Sequence, residues 1–478
     1  MNRMNKESTR SVRRTKIICT IGPVTQSFDK LAALAHAGMN VARINMSHAD
    51  HAGAKKIINW IKTINRKVVY PVAIMLDTQG PEIRTGEVNE PMDLKPDDVV
   101  TVTVRAGDVE RSSIHIDYQE LVDVLEVGNR LTVDNGLINF EVLEKNGEQL
   151  LCRVIDGGML GSKRHVNLPG VRVNLPAITS KDRKDIQFGL DHDVDFIALS
   201  FVRSADDVRE LREFMGAKAK NVKIIAKIED QEGVNNIHSI VAEADGVMVA
   251  RGDLGIETNI ADLPNVQRRI VHSTARGGKR SIVATHLLES MIEHPIPTRA
   301  EVTDVANAIY EGVDAVMLSG ETSIGEFPIR CVEQLDEIAR STERWPGLGY
   351  EKQLIVPSDK QHIAINAVKL AEDIAAAGIV VITRRGLTAD LVTNARPQTV
   401  PIYAFTNHSQ TRRRLVINRA VIAHRMDFSK EPEKTLQRAL RKLRTLEGFQ
   451  PGEKVVVISD VLAEFNSDAI QLRRIEEN

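Results

Sequence analysis

Cysteine is scarce: three residues in 478, at positions 19, 152 and 331, with no CxxC among them. That argues against a zinc module or a disulfide framework and fits a chain kept in a reducing cytoplasm. An excess of one charge is also missing. Lys and Arg total 63 against 65 Asp and Glu, a formal net charge of −2, so no global basic field points to nucleic acid. No apolar run approaches the ~18 residues that a membrane span needs. The stretch Met1–Lys16 is basic but has no apolar centre, which argues against a secretory signal. Its Arg and Ser content leaves an organellar transit peptide as the alternative to a cytoplasmic location. There is no GxGxxG, no GxxxxGK[ST], no internal repeat and no low-complexity tract.

What is present is a long alternation of strand and helix signals. The length suggests about three domains at ~150 residues each. Lys16–Ile21, Val41–Met46 and Val72–Asp77 are apolar runs of strand length. Between the first two, Ser27 is placed to cap a helix carrying Leu31, Leu34 and Ala35, and Gly38 to end it. From about Pro81 to Pro176 the rhythm changes to strands and turns, with Asp134-Asn135-Gly136 and Asn146-Gly147 as hairpin punctuation. It then resumes at Phe196–Ser200, Val222–Lys227, Gly246–Val249, Ser281–Ala284 and Ala315–Leu318. Three strands before the interruption and five after it predict an α/β fold, a (β/α)8 barrel with a small all-β domain inserted after strand three. An open doubly wound sheet is the rival, without a nucleotide-binding motif to anchor it. Beyond Tyr350, "AAGIVVIT", "VPIYAFT" and "EKVVVIS" read as buried parallel strands of a C-terminal α/β open-sheet domain. The expected borders are 1–80 and 177–350 for the barrel, 81–176 for the inserted lid and 351–478 for the last domain.

In such a barrel the reacting groups stand at the C-terminal ends of the strands. Those ends carry Arg43, Asn45 and Ser47, then Asp77 and Thr78, then Lys227 and Glu229, Arg251 and Asp253, Thr285, and finally Ser319 and Glu321. Singly, each has a bland explanation as a solvated or capping residue. Together they offer two carboxylates for a hard cation, Glu229 and Asp253, with a lysine and arginines for an anion. Phosphoryl transfer asks for that combination, since positioning and charge stabilisation supply most of its catalysis. The residues alone therefore imply a metal-assisted enzyme acting on a small phosphorylated anion.

The segments "TKIICTIGP", "GMNVARINMSHAD", "LDTQGPEIRTG", "GSKRHVNLPGV", "KIEDQEGV", "MVARGDLGIE", "ATHLLESMIEHPIPTRAEVTDVANA" and "VMLSGETSIGEFP" resemble the pyruvate kinase family, in its order, over residues 16 to about 335. The C-terminal domain is similar through "AAGIVVIT" and "TADLVTNARPQTVPIYAFT". The resemblance implies phosphoryl transfer from phosphoenolpyruvate to ADP, with Mg2+ or Mn2+ and K+ as cofactors, in a cytoplasmic homotetramer. It implies that Arg43 and Lys227 hold the phosphoryl group, and that Glu229 and Asp253 bind the divalent ion. The backbone at Gly252 and Asp253, with Thr285, seats the substrate carboxylate. Asn45, Ser47, Asp77 and Thr78 match a K+ site, and Glu82 the residue whose carboxylate goes with K+ dependence. His48, Arg84, Lys163 and Arg164 face the nucleotide, which the same pattern also places near Asn45. Thr285, Ser319 and Glu321 are the candidates for a proton relay. The resemblance also gives the inserted domain a role as a lid that closes over the barrel mouth and excludes water.

The chain departs from the family pattern in several places. Gln79 stands for a lysine, and His286 for a glutamine, where a packed neutral imidazole is expected. Arg164-His165 replaces a common Lys-Gly pair. The His48-Ala-Asp-His51 cluster resembles metal-ligand spacing only weakly. Lys181-Asp182-Arg183-Lys184-Asp185 reads as the start of a solvated helix. The effector loop of many members becomes Thr383-Arg384-Arg385-Gly386-Leu387-Thr388, and the closing segment lacks the glycine-rich loop that often covers the effector. Any allosteric effector is thus expected to be a monophosphate held at Thr383, Arg384, Arg385 and Thr388. Two other readings remain: a catalytically dead relative that only binds these ligands, and a barrel lyase acting on a pyruvate-like enolate.

Overall fold

The apolar runs close into a barrel because each buries both of its faces. In the computed structural model, which describes residues 12–88, 90–105, 113–134, 136–171, 173–355, 358–459 and 469–476, eight parallel strands pair in sequence order and the last returns to the first. They are β1 (Lys16–Thr20), β2 (Val41–Asn45), β3 (Ala73–Asp77), β4 (Phe196–Leu199), β5 (Lys223–Ile228), β6 (Gly246–Ala250), β7 (Arg280–Ala284) and β8 (Ala315–Leu318). Alternation along them divides the core. Ile18, Met75, Phe196, Ile225, Met248 and Ile282 fill the interior of the barrel. Their neighbours Ile17, Cys19, Ile74, Leu76, Ile197 and Ile224 face the surrounding helices. The first helix begins and ends as its sequence dictates: Ser27 Oγ accepts the Lys30 N–H, and Gly38 closes the helix at φ 120°.

The interruption after β3 is an all-β unit with its own apolar core around Leu131, Phe140, Leu150 and Val154. Among the described residues its main sheet has seven strands, from Ile83–Arg84 to His165–Asn167. The long hairpin Ile138–Asn146 and Gln149–Asp156 turns at Gly147, whose φ of 61° a side chain would resist. Asn135, in the other expected turn, lies outside the described residues.

The C-terminal sheet has the order β11 (Val421–Arg425), β10 (Ile402–Thr406), β9 (Gly378–Ile382), β12 (Lys454–Ser459) and β13 (Ile470–Arg474). The first four are parallel and β13 is antiparallel. Both faces are covered, Ile379 and Ile402 packing on one and Val380 and Tyr403 on the other. Most of Met1–Lys16 lies outside the described residues, and so does most of the closing segment after Ser459.

This sheet docks on the foot of the barrel, the end where the strands begin. Val416 and Ile417 plug the barrel interior from below. Asp314, just before β8 and fully buried, pairs with Arg280 at 3.4 Å and with Arg396 at 2.8 Å. It also accepts the N–H groups of Ser281 and Arg419. Arg413 reaches Asp195, which precedes β4, at 2.9 Å. Burial by itself would raise the Asp314 carboxyl, but Arg396 and Arg280 outweigh it and hold it below the usual aspartate range.

Asp314→Ala leaves two buried guanidinium groups unpaired and is expected to cost about 3–5 kcal/mol, read as a lowered urea midpoint. A carboxyl depressed in the folded state stabilises above its unfolded pKa. The wild-type clasp should therefore hold through mild acid and fail only as pH falls below the ordinary aspartate value of about 3.9.

Candidate active site

The ends of β2 to β5 put four oppositely charged side chains within ion-pair reach. Asn45 and Asp77 are neighbours in register across β2 and β3, so Arg43 and Asp77 share one end of the barrel. Arg43 Nε donates to Asp77 Oδ2 at 2.6 Å and its Nη1 donates to Thr20 Oγ at 2.9 Å. Lys227 Nζ stands 3.0 Å from Asp77 Oδ1, 3.1 Å from Glu229 Oε1 and 2.8 Å from Ser200 Oγ. The ammonium thus makes ion pairs with two carboxylates and donates one hydrogen bond, to the Ser200 hydroxyl. Ser200 Oγ in turn donates to the Thr78 carbonyl, and Thr78 Oγ accepts the Ser200 N–H.

The charges set one another. Burial alone would lift the Asp77 carboxyl, yet Arg43 and Lys227 hold it below the usual carboxylate range. Burial likewise opposes the charge on Lys227, but Asp77 and Glu229 keep its ammonium above the ordinary lysine value. Glu229 moves the other way: burial raises its carboxyl, Lys227 opposes, and Asp253 adds to the rise. Burial raises Asp253 too. A buried carboxylate and a half-buried one that disfavour each other's charge are what a divalent cation would relieve. Two such groups, with substrate oxygens and water, are the donor set that Mg2+ prefers. Among the described residues no group of three His, Cys, Asp or Glu side chains forms a metal site.

At the end of β7 the backbone is strained. Thr285 and His286 are consecutive non-glycine residues with φ of 68° and 51°, each costing about 1–3 kcal/mol. The Arg251 guanidinium holds them there, donating to the carbonyls of Ala284, Thr285 and His286 while Asp304 anchors it at 2.7 Å. Thr285 Oγ accepts the Gly252 N–H at 2.8 Å, so the start of the helix Arg251–Glu257 and Thr285 form one wall. The His286 side chain is exposed, not packed as expected; the left-handed turn carries it out of the core.

The remaining candidates fall into separate groups. Ser47 N–H donates to Asn45 Oδ1 beside Asp77, and His48 is exposed one residue on. Arg84 pairs with Glu82, which also accepts from Gln79, and Arg84 Nη1 donates to the Lys163 carbonyl. The Lys163 and Arg164 side chains pair with Glu87 and Asp134 on the lid. Glu321 is buried with both oxygens committed to backbone N–H groups of Ser319 and Leu288. The buried Ser319 Oγ has no hydrogen-bond partner. Thr383, Arg384, Arg385 and Thr388 belong to the C-terminal sheet, which docks at the barrel foot. There Thr383 Oγ accepts the Gly386 N–H, and both arginines are exposed.

Sequence reasoning missed two residues. Ser200 sits at the end of β4, the one strand end between β2 and β8 from which no candidate was taken. Asp182 lies in the charge run read as a solvated helix start, and that reading needs correction. Asp182 and Asp185 are buried, because helix Ser180–Asp191 packs its first turn against the mouth. Asp182 accepts the N–H groups of Gln79, Gly80 and Thr179. Asp185 pairs with His51 and Lys181. The capping spacing Thr179-x-x-Asp182 was the available signal.

The comparisons agree with this architecture. The family model "Pyruvate kinase, barrel domain" matches residues 12–332, and "Pyruvate kinase, alpha/beta domain" matches residues 361–470. The chain is 44% identical to a pyruvate kinase of Geobacillus stearothermophilus over 419 residues, covering 85% of this chain and 70% of that one. It is 41% identical to plastidial pyruvate kinase 2 of Arabidopsis thaliana over 93% of this chain and 78% of that one. Against a pyruvate kinase of Dictyostelium discoideum the figures are 40%, 94% and 91%. The chain belongs to the pyruvate kinase family.

Proposed function

We propose the following division of labour for the family's reaction, in which the phosphoryl group of phosphoenolpyruvate passes to ADP to give pyruvate and ATP, the last step of glycolysis. The observation that carries it is the buried Lys227 ammonium, held ready between Asp77, Glu229 and Ser200. With Arg43 it binds the phosphoryl group and offsets the charge that spreads over that group in transfer. The start of the helix Arg251–Glu257 at Gly252 and Asp253, with Thr285, whose Oγ takes the Gly252 N–H, seats the substrate carboxylate. His48, Arg84, Lys163 and Arg164 meet the nucleotide phosphates.

Glu229 and Asp253 would hold Mg2+ or Mn2+, and Asn45, Ser47, Asp77 and Thr78 would hold K+. When bound, these ions neutralise phosphate charge and orient its oxygens. Transfer leaves an enolate that must be protonated at carbon. Thr285 and Ser319 are the hydroxyls available to pass that proton through water, and Glu321 fixes Ser319 from behind.

The units 1–80 with 177–350, 81–176 and 351–478 then act as barrel, lid and effector domain. The working assembly is a homotetramer of dihedral symmetry, with a phosphorylated effector at Thr383, Arg384, Arg385 and Thr388. The location we infer is cytoplasmic, although several similar proteins are named as plastidial or chloroplastic. Among the described residues no helix is long and apolar enough to cross a membrane.

A coupled assay for ATP formation tests the reading. Lys227→Met should lower turnover by about 10³-fold or more with the fold retained; a variant keeping a tenth of wild-type turnover would refute it. The wild type should need K+, and Glu82→Lys should reduce that need, measured in sodium- and potassium-free buffer. Asp182→Ala strands three N–H groups behind the Gln79–Gly80 turn. It should cost about 1–3 kcal/mol of stability in urea unfolding and raise KM more than it lowers kcat.

A further inference from the structure

Where the C-terminal sheet meets the barrel foot, the two enclose a cavity of about 190 Å³. Lys223, Lys279 and Arg280 line it from the barrel, and Arg385 and Arg414 from the C-terminal domain. Two carboxylates, Asp245 and Asp390, stand among these cations, and both are engaged. Lys223 lies 3.2 Å from Asp245 and 3.6 Å from Asp390, which also accepts from Asn418. Arg280 turns to Asp314, which does not line the cavity. The other three cations have no carboxylate within ion-pair reach among the described residues. Lys279 Nζ donates to the carbonyls of Ala242 and Ala244. Arg414 donates to the Lys220 carbonyl and the Thr411 hydroxyl, and its buried Nε has no hydrogen-bond partner. Arg385 is exposed. Burial, reinforced by Lys223, holds Lys279 below the ordinary lysine value against the pull of Asp245, and burial lowers Arg414 as well. An anion among the three would relieve them.

We propose that this seam takes the phosphate of a small sugar monophosphate, with Arg385 and Arg414 gripping it from one domain and Lys279 from the other. A phosphate offers three charged acceptor oxygens, which suits two planar guanidinium forks and one point charge. Asp245 and Asp390 repel a second phosphate but have lone pairs to spare for sugar hydroxyls. The proposal deepens the reading of the Thr383–Thr388 loop as the effector site and rests on it. It moves the anion from the loop alone into the domain seam, since Lys279 lines the cavity and Arg384 does not. Such a ligand ties the C-terminal domain to the barrel strands from below. Lys279 precedes β7, which runs up to Thr285.

Isothermal titration of the full chain tests this, with ribose 5-phosphate, glucose 6-phosphate and inorganic phosphate as probes. At least one sugar phosphate should bind about tenfold or more tightly than inorganic phosphate. Lys279→Ala and Arg414→Ala should each weaken that binding by about tenfold or more, the loss expected for a charged hydrogen bond. Lys279→Arg keeps the charge and should restore most of the affinity, which separates lost charge from a disturbed foot. Inorganic phosphate binding as tightly as both sugar phosphates overturns the proposal. So does sugar-phosphate binding that is lost in Arg384→Ala but unchanged in Lys279→Ala and Arg414→Ala, and that result leaves the loop reading standing. No binding of any of the three ligands overturns the proposal and the loop reading together.

Discussion

The barrel mouth is organised around one electrostatic requirement: a lysine ammonium that water barely reaches must be matched by opposite charge. Lys227 meets Asp77 from β3, Ser200 from the end of β4 and Glu229 from its own strand. Removing any of these leaves a buried charge or a stranded donor, which costs more than the pair itself contributes. Asp77 carries the heaviest load, since it also fixes Arg43 and is fully buried. The two cations that would face a phosphoryl group are therefore held in place before any substrate arrives, with little reorganisation left for the reaction.

On the opposite wall the backbone stores strain rather than charge. Thr285 is β-branched and left-handed, a combination that persists only where its surroundings impose it. Arg251 imposes it, gathering three successive carbonyls while Asp304 holds its far edge. That aims the Thr285 hydroxyl at the Gly252 amide rather than into the barrel core. Arg251 thus acts by positioning, through the Thr285 and His286 backbone. The charged wall and the strained wall together give the site its shape.

The two ends of the barrel are specialised. The mouth holds the charged cluster and the strained turn, and the foot is sealed by Val416 and Ile417 and clasped through Asp314 and Asp195. Any signal between the C-terminal sheet and the mouth would cross the length of the strands. The packed interior from Phe196 and Ile225 up to Ala284 and Met317 is one rigid connection between the two ends. The lid meets the mouth through different contacts, among them Asn167 Nδ2 donating to Glu257 at 2.7 Å.

Strand count, parallel order and the break after β3 were legible because buried parallel strands read as short apolar runs with polar ends. The same rule exposed Arg43, Asp77, Lys227, Glu229, Asp253 and Thr285, since a strand's last residues must sit at the rim. The segments that resemble the family then suggested their roles. Sequence could not show that Asp182 turns inward, because a charge run looks alike whether its helix faces water or a neighbouring loop. Nor could it show that Ser200 completes the lysine's coordination, that Glu321 spends its carboxylate on backbone amides, or that His165 comes within 3.9 Å of Asp253. Those facts depend on which strand ends and which lid edge meet across the closed barrel. Most of them join residues from 27 to 103 positions apart, and no local pattern of propensity or spacing encodes such a meeting.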